Sequence, residues 1–315
     1  MALSLSIENL SKALVAWRFP APITVSELGL GFQGETWLIT AGDRRYVAKL
    51  CYDTQASFEI GLKMAEIVER HGISSGAPLR TIMGELSVLV AHPPGQQHPL
   101  ALLRYVPGSP LDLTAPDAPR LVGTLLGRIH RLLRDDADIV GLDDAVLPYV
   151  TEDQPAVFVR YPWLRPLLLR AVAGVRTFED TTPVTYGGIF GDVLEVIYDE
   201  QPDRVGVVDW GAAGKGPLLF DLALVIDQFR RAGSDAIEVL IDNYAAAAAV
   251  TTAELGGLDR YSALLWARQA KSFAWRLVNH VTRGDPDFAA REQTLATYRR
   301  KLEEQLERYE AEGGR

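Results

Sequence analysis

Residues 184–223, VTYGGIFGDVLEVIYDEQPDRVGVVDWGAAGKGPLLFDLA, decide the fold. Positions 204–208, RVGVV, read as an apolar strand that ends in a carboxylate, Asp209, at a Trp210-Gly211 turn. Gly216-Pro217 and then Phe220-Asp221-Leu222-Ala223 follow in order. A carboxylate at the end of a buried strand offers hard oxygen donors; a strand-end turn cap is the alternative. Upstream lie two glycine triplets, Tyr186-Gly187-Gly188 and Phe190-Gly191-Asp192, and only the second contains an acid.

Toward the N-terminus, Gly29-Leu30-Gly31-Phe32-Gln33-Gly34 matches G-x-G-x-x-G. Glycines are needed where backbone approaches phosphate oxygens closely or takes positive φ. A dinucleotide fingerprint requires a helix next, whereas Glu35-Thr36-Trp37-Leu38-Ile39 is strand-like. A glycine-rich hairpin survives that test. Lys49 follows in a second strand, among Val47, Ala48 and Leu50, with Ala41-Gly42-Asp43 as the intervening turn. An ammonium in such surroundings calls for an anionic partner, unless the strand is an edge and the side chain snorkels. Residues 57–71 carry helical periodicity, and Glu59 and Glu66, two turns apart, share a face. Strand-like pieces at 86–91 and 100–105 come next, and Val106-Pro107-Gly108-Ser109-Pro110 breaks all periodicity. The spacing therefore predicts an N-terminal region 1–106 and a mostly helical region 107–315, whose last segment, 292–310, puts Leu295, Tyr298, Leu302, Leu306 and Tyr309 on one stripe.

The order strand, Asp-Trp, Gly-Pro, Asp-Leu-Ala resembles the aminoglycoside phosphotransferase and choline kinase-like family, a branch of the protein-kinase-like fold. The resemblance spans nearly the whole chain. It implies an α+β, bilobal fold with a small antiparallel-sheet N-terminal lobe and a mostly helical C-terminal lobe. It further implies ATP and Mg²⁺ as cofactors: Gly29, Gly31 and Gly34 cover the nucleotide, Lys49 binds its phosphates and pairs with Glu59, and Asp209 binds metal. Leu102-Leu103-Arg104-Tyr105 corresponds to the hinge where backbone meets adenine, and Asp221 to the residue that orients the catalytic loop. The family's catalytic loop opens with His-Gly-Asp and places an Asn about five residues later. Aligning Tyr186-Gly187-Gly188 with that triplet keeps the family's spacing of twenty-one positions to Asp209 and puts Asp192 near the second metal ligand. Aligning Phe190-Gly191-Asp192 makes Asp192 the base, shortens the loop to seventeen positions and leaves Ile197 in place of the Asn. The first register is preferred. Asp192 is thus the candidate catalytic acid-base and metal residue, and Glu195 is a spare carboxylate nearby.

Two functions follow from the resemblance. One is an ATP-dependent phosphotransferase acting on a hydroxyl of a small molecule or of a peptide Ser/Thr. The other is a pseudokinase, a nucleotide- or peptide-binding module that supports a partner enzyme. Trp266, Phe273 and Trp275 lie on a helix that borders the family's acceptor site, with core packing as the alternative. The rest of the composition sets limits. A net charge of −9 with no basic run argues against nucleic-acid binding. No apolar run reaches the roughly 18 residues of a membrane span, so a cytoplasmic location is expected. One cysteine, Cys51, forms no internal disulfide. The histidines show no metal-ligand spacing and are expected to be surface or packing residues.

Overall fold

The computed structural model describes residues 5–19, 22–30, 33–92, 95–199, 204–248, 250–281 and 288–313. Its chain contacts divide into two compact units: Met1–Leu111 with Leu194–Ala213, and Asp112–Val193 with Gly214–Arg315. The expected boundary at 106 thus compares with a first unit that runs to Leu111 and takes in a later segment.

In the first unit, strands β1 (Ile23–Leu30), β2 (Gly34–Ala41), β3 (Arg44–Cys51), β4 (Pro78–Leu79), β5 (Val88–His92) and β6 (Gln96–Arg104) form an antiparallel sheet of order β1-β2-β3-β6-β4, with β5 on β6. Side-chain alternation decides what each face of β3 meets. Ala48 and Leu50 join Leu10, Leu14, Trp37 and Leu100 in one core. Cys51, on the opposite face with Lys49, joins Phe58 and Leu62 of the helix Gln55–Arg70 and Ala101 in another. Burial pushes the Cys51 thiol up to about 11, so it stays protonated at neutral pH.

Three further strands, β7 (Ser109–Pro110), β9 (Glu195–Asp199) and β10 (Arg204–Val208), pair in the order β10-β9-β7 within this unit. The segment is anchored through the residues after the helix Gln55–Arg70. The Val207 N–H donates to the Ser74 carbonyl at 2.8 Å, and the Trp210 indole N–H to the Ser75 carbonyl at 2.8 Å. Gly61 leaves room for Trp210: a Cβ there would stand 2.0 Å from the Trp210 carbonyl oxygen.

The second unit is mainly helical. Helix Ala118–Arg134 packs on helix Ser234–Ala248, and helix Leu258–Val278 packs on Leu164–Glu179, Leu218–Phe229 and Phe288–Gly313. The C-terminal stripe is spent within this unit, with Leu295, Leu302, Leu306 and Tyr309 all buried. Strands β8 (Tyr186–Ile189) and β11 (Gly214–Pro217) form an antiparallel pair. No helix among the described residues is long and apolar enough to cross a membrane.

Candidate active site

Lys49 lies on an interior strand, flanked by Thr36 of β2 and Ala101 of β6, and is 8% exposed. This removes the edge-strand alternative and leaves the ammonium in need of a counter-charge. Its partner is Asp209: Lys49 Nζ donates to Asp209 Oδ1. The Gly211 N–H donates to the same oxygen at 3.1 Å. Burial opposes ionisation of Asp209, but the attraction and hydrogen bond of Lys49, with the Gly211 N–H, hold its carboxyl below the usual carboxylate range. Asp209 itself takes φ +67°, a left-handed conformation that a non-glycine residue adopts only when its surroundings fix it.

The end of the glycine turn reaches the same place. A Cβ on Gly211 would stand 2.4 Å from Gln33 Oε1, 3.2 Å from Asp209 Oδ1 and 3.4 Å from Lys49 Nζ. Gly34 is obligatory for packing, since a Cβ would lie 1.9 Å from the Leu50 carbonyl oxygen. Gly29 sits beside a register shift between Glu27 and Gly29 in β1, with open space where its Cβ would go. Gly31 lies outside the described residues.

Glu59 is engaged elsewhere. Its Oε1 accepts from Ser87 Oγ at 2.7 Å and Gln55 Nε2 at 3.0 Å, while the ion-pair partner of Lys49 is Asp209. Glu66 is bound by Arg80 through two contacts, 3.0 and 2.7 Å. Arg104 ends β6, its N–H donating to the Ala77 carbonyl at 2.9 Å, and the Tyr105 ring lies 4.1 Å below the Arg45 guanidinium.

In the second unit the glycine triplets separate cleanly. Tyr186, Gly187 and Gly188 are strand residues, paired with Pro217, Gly216 and Lys215. The preferred register aligned them with the catalytic-loop triplet, whereas here they run in β8. The reason is steric: a Cβ on Gly187 would stand 2.9 Å from the Arg134 Cα, so glycine there serves close packing. Strand β8 ends at Ile189, and Phe190 follows it. Asp221, 1% exposed, accepts from the Phe190 N–H at 2.6 Å and the Gly191 N–H at 3.0 Å, and Gly191 takes φ +69°. This hold delivers Asp192 to the surface, where it accepts from the Val193 N–H at 2.8 Å.

Asp221 is held in turn by His130, which was expected to be a surface or packing residue. His130 is fully buried, with Nε2 3.2 Å from Asp221 Oδ2 and Nδ1 2.9 Å from the Tyr244 hydroxyl. A carboxylate only accepts, so Nε2 carries the hydrogen. Arg268 donates to the Gly191 carbonyl from helix Leu258–Val278. The charge on Asp192 is felt by Arg276, whose pKa is lowered by burial and raised by Asp192, and by Tyr298, whose pKa burial and Asp192 both raise.

The aromatic residues divide. Trp266 is buried, 5.4 Å from the Tyr298 ring and 3.9 Å from Lys301 Nζ, and Phe273 meets Tyr298 edge-on at 4.9 Å. Trp275 is exposed. No group of three or more His, Cys, Asp or Glu gathers for metal binding among the described residues.

The sequence profile of the phosphotransferase enzyme family matches residues 24–258. This chain belongs to that family. No curated protein matches it. Among solved structures, the phosphotransferase-family chain is similar to a microcompartment-associated aminopropanol kinase, at 14% identity over 98% of this chain and 99% of that one, TM-score 0.74. It is also similar to the amicoumacin kinase hAmiN in complex with AMP-PNP, Ca²⁺ and Ami, at 14% identity over 94% and 92%, TM-score 0.69. A spectinomycin phosphotransferase in complex with ADP and spectinomycin matches at 12% identity over 96% and 95%, TM-score 0.60. The fold is accordingly protein-kinase-like and α+β, with an antiparallel-sheet N-terminal region and a helical C-terminal region, as the motifs imply.

Proposed function

We propose that this phosphotransferase-family protein transfers a phosphoryl group from ATP to a hydroxyl, with Asp192 as the base. The observation that supports the reading is the pair of hydrogen bonds that the Phe190 and Gly191 N–H groups donate to Asp221, which favours Phe190-Gly191-Asp192 as the loop triplet, with Asp192 as its acid. Lys49 neutralises phosphate charge, and Asp209 offers carboxylate oxygen to a metal. Glu195 opens β9 opposite Val208, the residue before Asp209, and is the second carboxylate candidate. Two carboxylates suit Mg²⁺, which keeps several waters and takes its remaining ligands from phosphate oxygens. When bound, the metal would offset charge on the nucleotide phosphates. Asp192 would orient the acceptor hydroxyl and take its proton. Relatives of this fold named for aminopropanol, amicoumacin and spectinomycin favour a small-molecule acceptor over a peptide Ser/Thr.

A second reading, a pseudokinase that binds nucleotide or peptide for a partner enzyme, is favoured by the apolar Ile197 five residues past Asp192. Mg²⁺·ATP binding by calorimetry, and turnover against a panel of hydroxyl acceptors, separate the two. Asp192→Ala is expected to keep nucleotide binding and lose roughly 10²- to 10⁴-fold in kcat, the usual worth of a positioned base. Asp209→Ala is expected to lose both. Binding without turnover for every acceptor would favour the second reading, and absence of ATP binding would overturn both.

A further inference from the structure

Gly191 is gripped at both ends of its residue, by Asp221 at its N–H and by Arg268 at its carbonyl. We propose that Arg268 is a positioning residue for Asp192, a role that rests on the base reading above. The Gly191 carbonyl shares one peptide unit with the Asp192 nitrogen and Cα. Because that unit is planar, fixing its oxygen fixes the direction in which Asp192 leaves the loop. Asp221 alone cannot do this, since the Gly191 ψ lies beyond the N–H that it holds. Glycine at φ +69° needs such a restraint more than any other residue, having the widest freedom to lose.

Arg268 is built for a fixed geometry. Its guanidinium carbon lies 5.6 Å from the Tyr149 ring centroid and 5.6 Å from that of Phe220, the neighbour of Asp221. A planar fork resting against aromatic rings is pre-organised where a lysine is not. Its Nε is buried with no hydrogen-bond partner among the described residues, so the side chain keeps this position at the cost of an unmet donor. That cost is intelligible if the reach to Gly191 is what the position provides. The arrangement also gives a loop without the family's downstream Asn a second point of support, on the carbonyl side of the triplet.

The test uses the full chain with Arg268→Met, which keeps aliphatic bulk and removes the donor, and Arg268→Lys, which restores a point charge. Hydrogen exchange of the peptide covering 189–194 and steady-state kinetics with ATP and the acceptor that the panel identifies are read together. Arg268→Met is expected to speed exchange there about tenfold, with other segments unchanged. It should lower kcat roughly 10- to 100-fold, in line with a misplacement of about 1 Å, and leave KM for ATP within about twofold. Arg268→Lys is expected to recover part of both. Wild-type exchange at 189–194 in Arg268→Met overturns the proposal, as does unchanged kcat while Asp192→Asn is inactive. If Arg268→Met exchanges fast everywhere, the same two measurements on Arg268→Lys decide in its place: wild-type exchange at 189–194 together with wild-type kcat overturns the proposal, and intermediate values of both support it. A fully active Asp192→Asn would sink the base reading and with it the catalytic consequence of Arg268, while exchange would still decide whether Arg268 holds the loop.

Discussion

At the residue scale, Asp209 concentrates opposing forces. Burial favours its neutral form, Lys49 and the Gly211 N–H favour the anion, and the anion wins. A carboxyl whose folded pKa is depressed contributes stability that is complete above its unfolded value, about 3.9, and is lost as pH falls through the folded one. The stability difference between wild type and Asp209→Asn should therefore be largest above about pH 4 and shrink steadily below it, as read from urea midpoints at a series of pH values. A difference that stays flat down to pH 2 would mean that the pair adds nothing to folding. This pairing was only half legible in the sequence. Lys49 among apolar neighbours announced the need for an anion, but a helix glutamate ten positions away and an aspartate 160 positions away satisfy that need equally on paper. Only packing chose, by committing Glu59 to Ser87 and Gln55.

At the element scale, close backbone approach does work that side-chain patterns do not reveal. Helix Ala118–Arg134 meets helix Ser234–Ala248 through Gly123 and Gly127, where a Cβ on Gly127 would stand 2.6 Å from the Ala247 Cβ and 2.7 Å from the Tyr244 carbonyl oxygen. Gly127→Ala gains up to about 1 kcal/mol of helix propensity. The clash is largely with backbone, which cannot yield, and overpacking of this kind costs about 1–3 kcal/mol. A net loss of stability is expected in urea unfolding, and a gain would show that the two helices part easily. The same steric logic bears on the choice of loop register. Tyr186-Gly187-Gly188 has the family's spacing, yet these residues run in β8, where Gly187 lets the strand approach Arg134 closely. The signal that favours the register proposed above is the carboxylate of Asp221, some thirty residues on, which accepts from backbone N–H groups that a sequence does not display. His130 escapes sequence reasoning for a related reason: a histidine on an apolar helix carries no mark of the buried Asp221 and Tyr244 that it joins.

At the scale of the whole molecule, strand and helix content and the order of motifs were legible because periodicity and turn residues are local. The discontinuity of the first unit was not, because it depends on where a later segment finds its partners. Leu194–Ala213 supplies that unit with β9, β10, the Trp210 indole on Ser75 and the carboxylate for Lys49. A fragment ending at Leu111 would keep the sheet β1-β2-β3-β6-β4 but leave Lys49 without its anion and Gly61 facing an empty space where Trp210 packs. Removing one partner of a fully buried pair typically costs about 3–5 kcal/mol, an upper bound here because the Asp209 side chain is 43% exposed; part of that loss, together with the lost packing of Trp210, is a sizeable share of the roughly 5–15 kcal/mol that holds a domain together. The fragment 1–111 should therefore show no cooperative urea transition in the fluorescence of Trp37, a buried tryptophan of β2. Adding a synthetic peptide of residues 194–213 in excess should restore one in part, because a ligand that binds only the folded form shifts the equilibrium toward it. A fragment that unfolds cooperatively at the full-length midpoint would show that the later segment docks onto a finished domain instead of completing it.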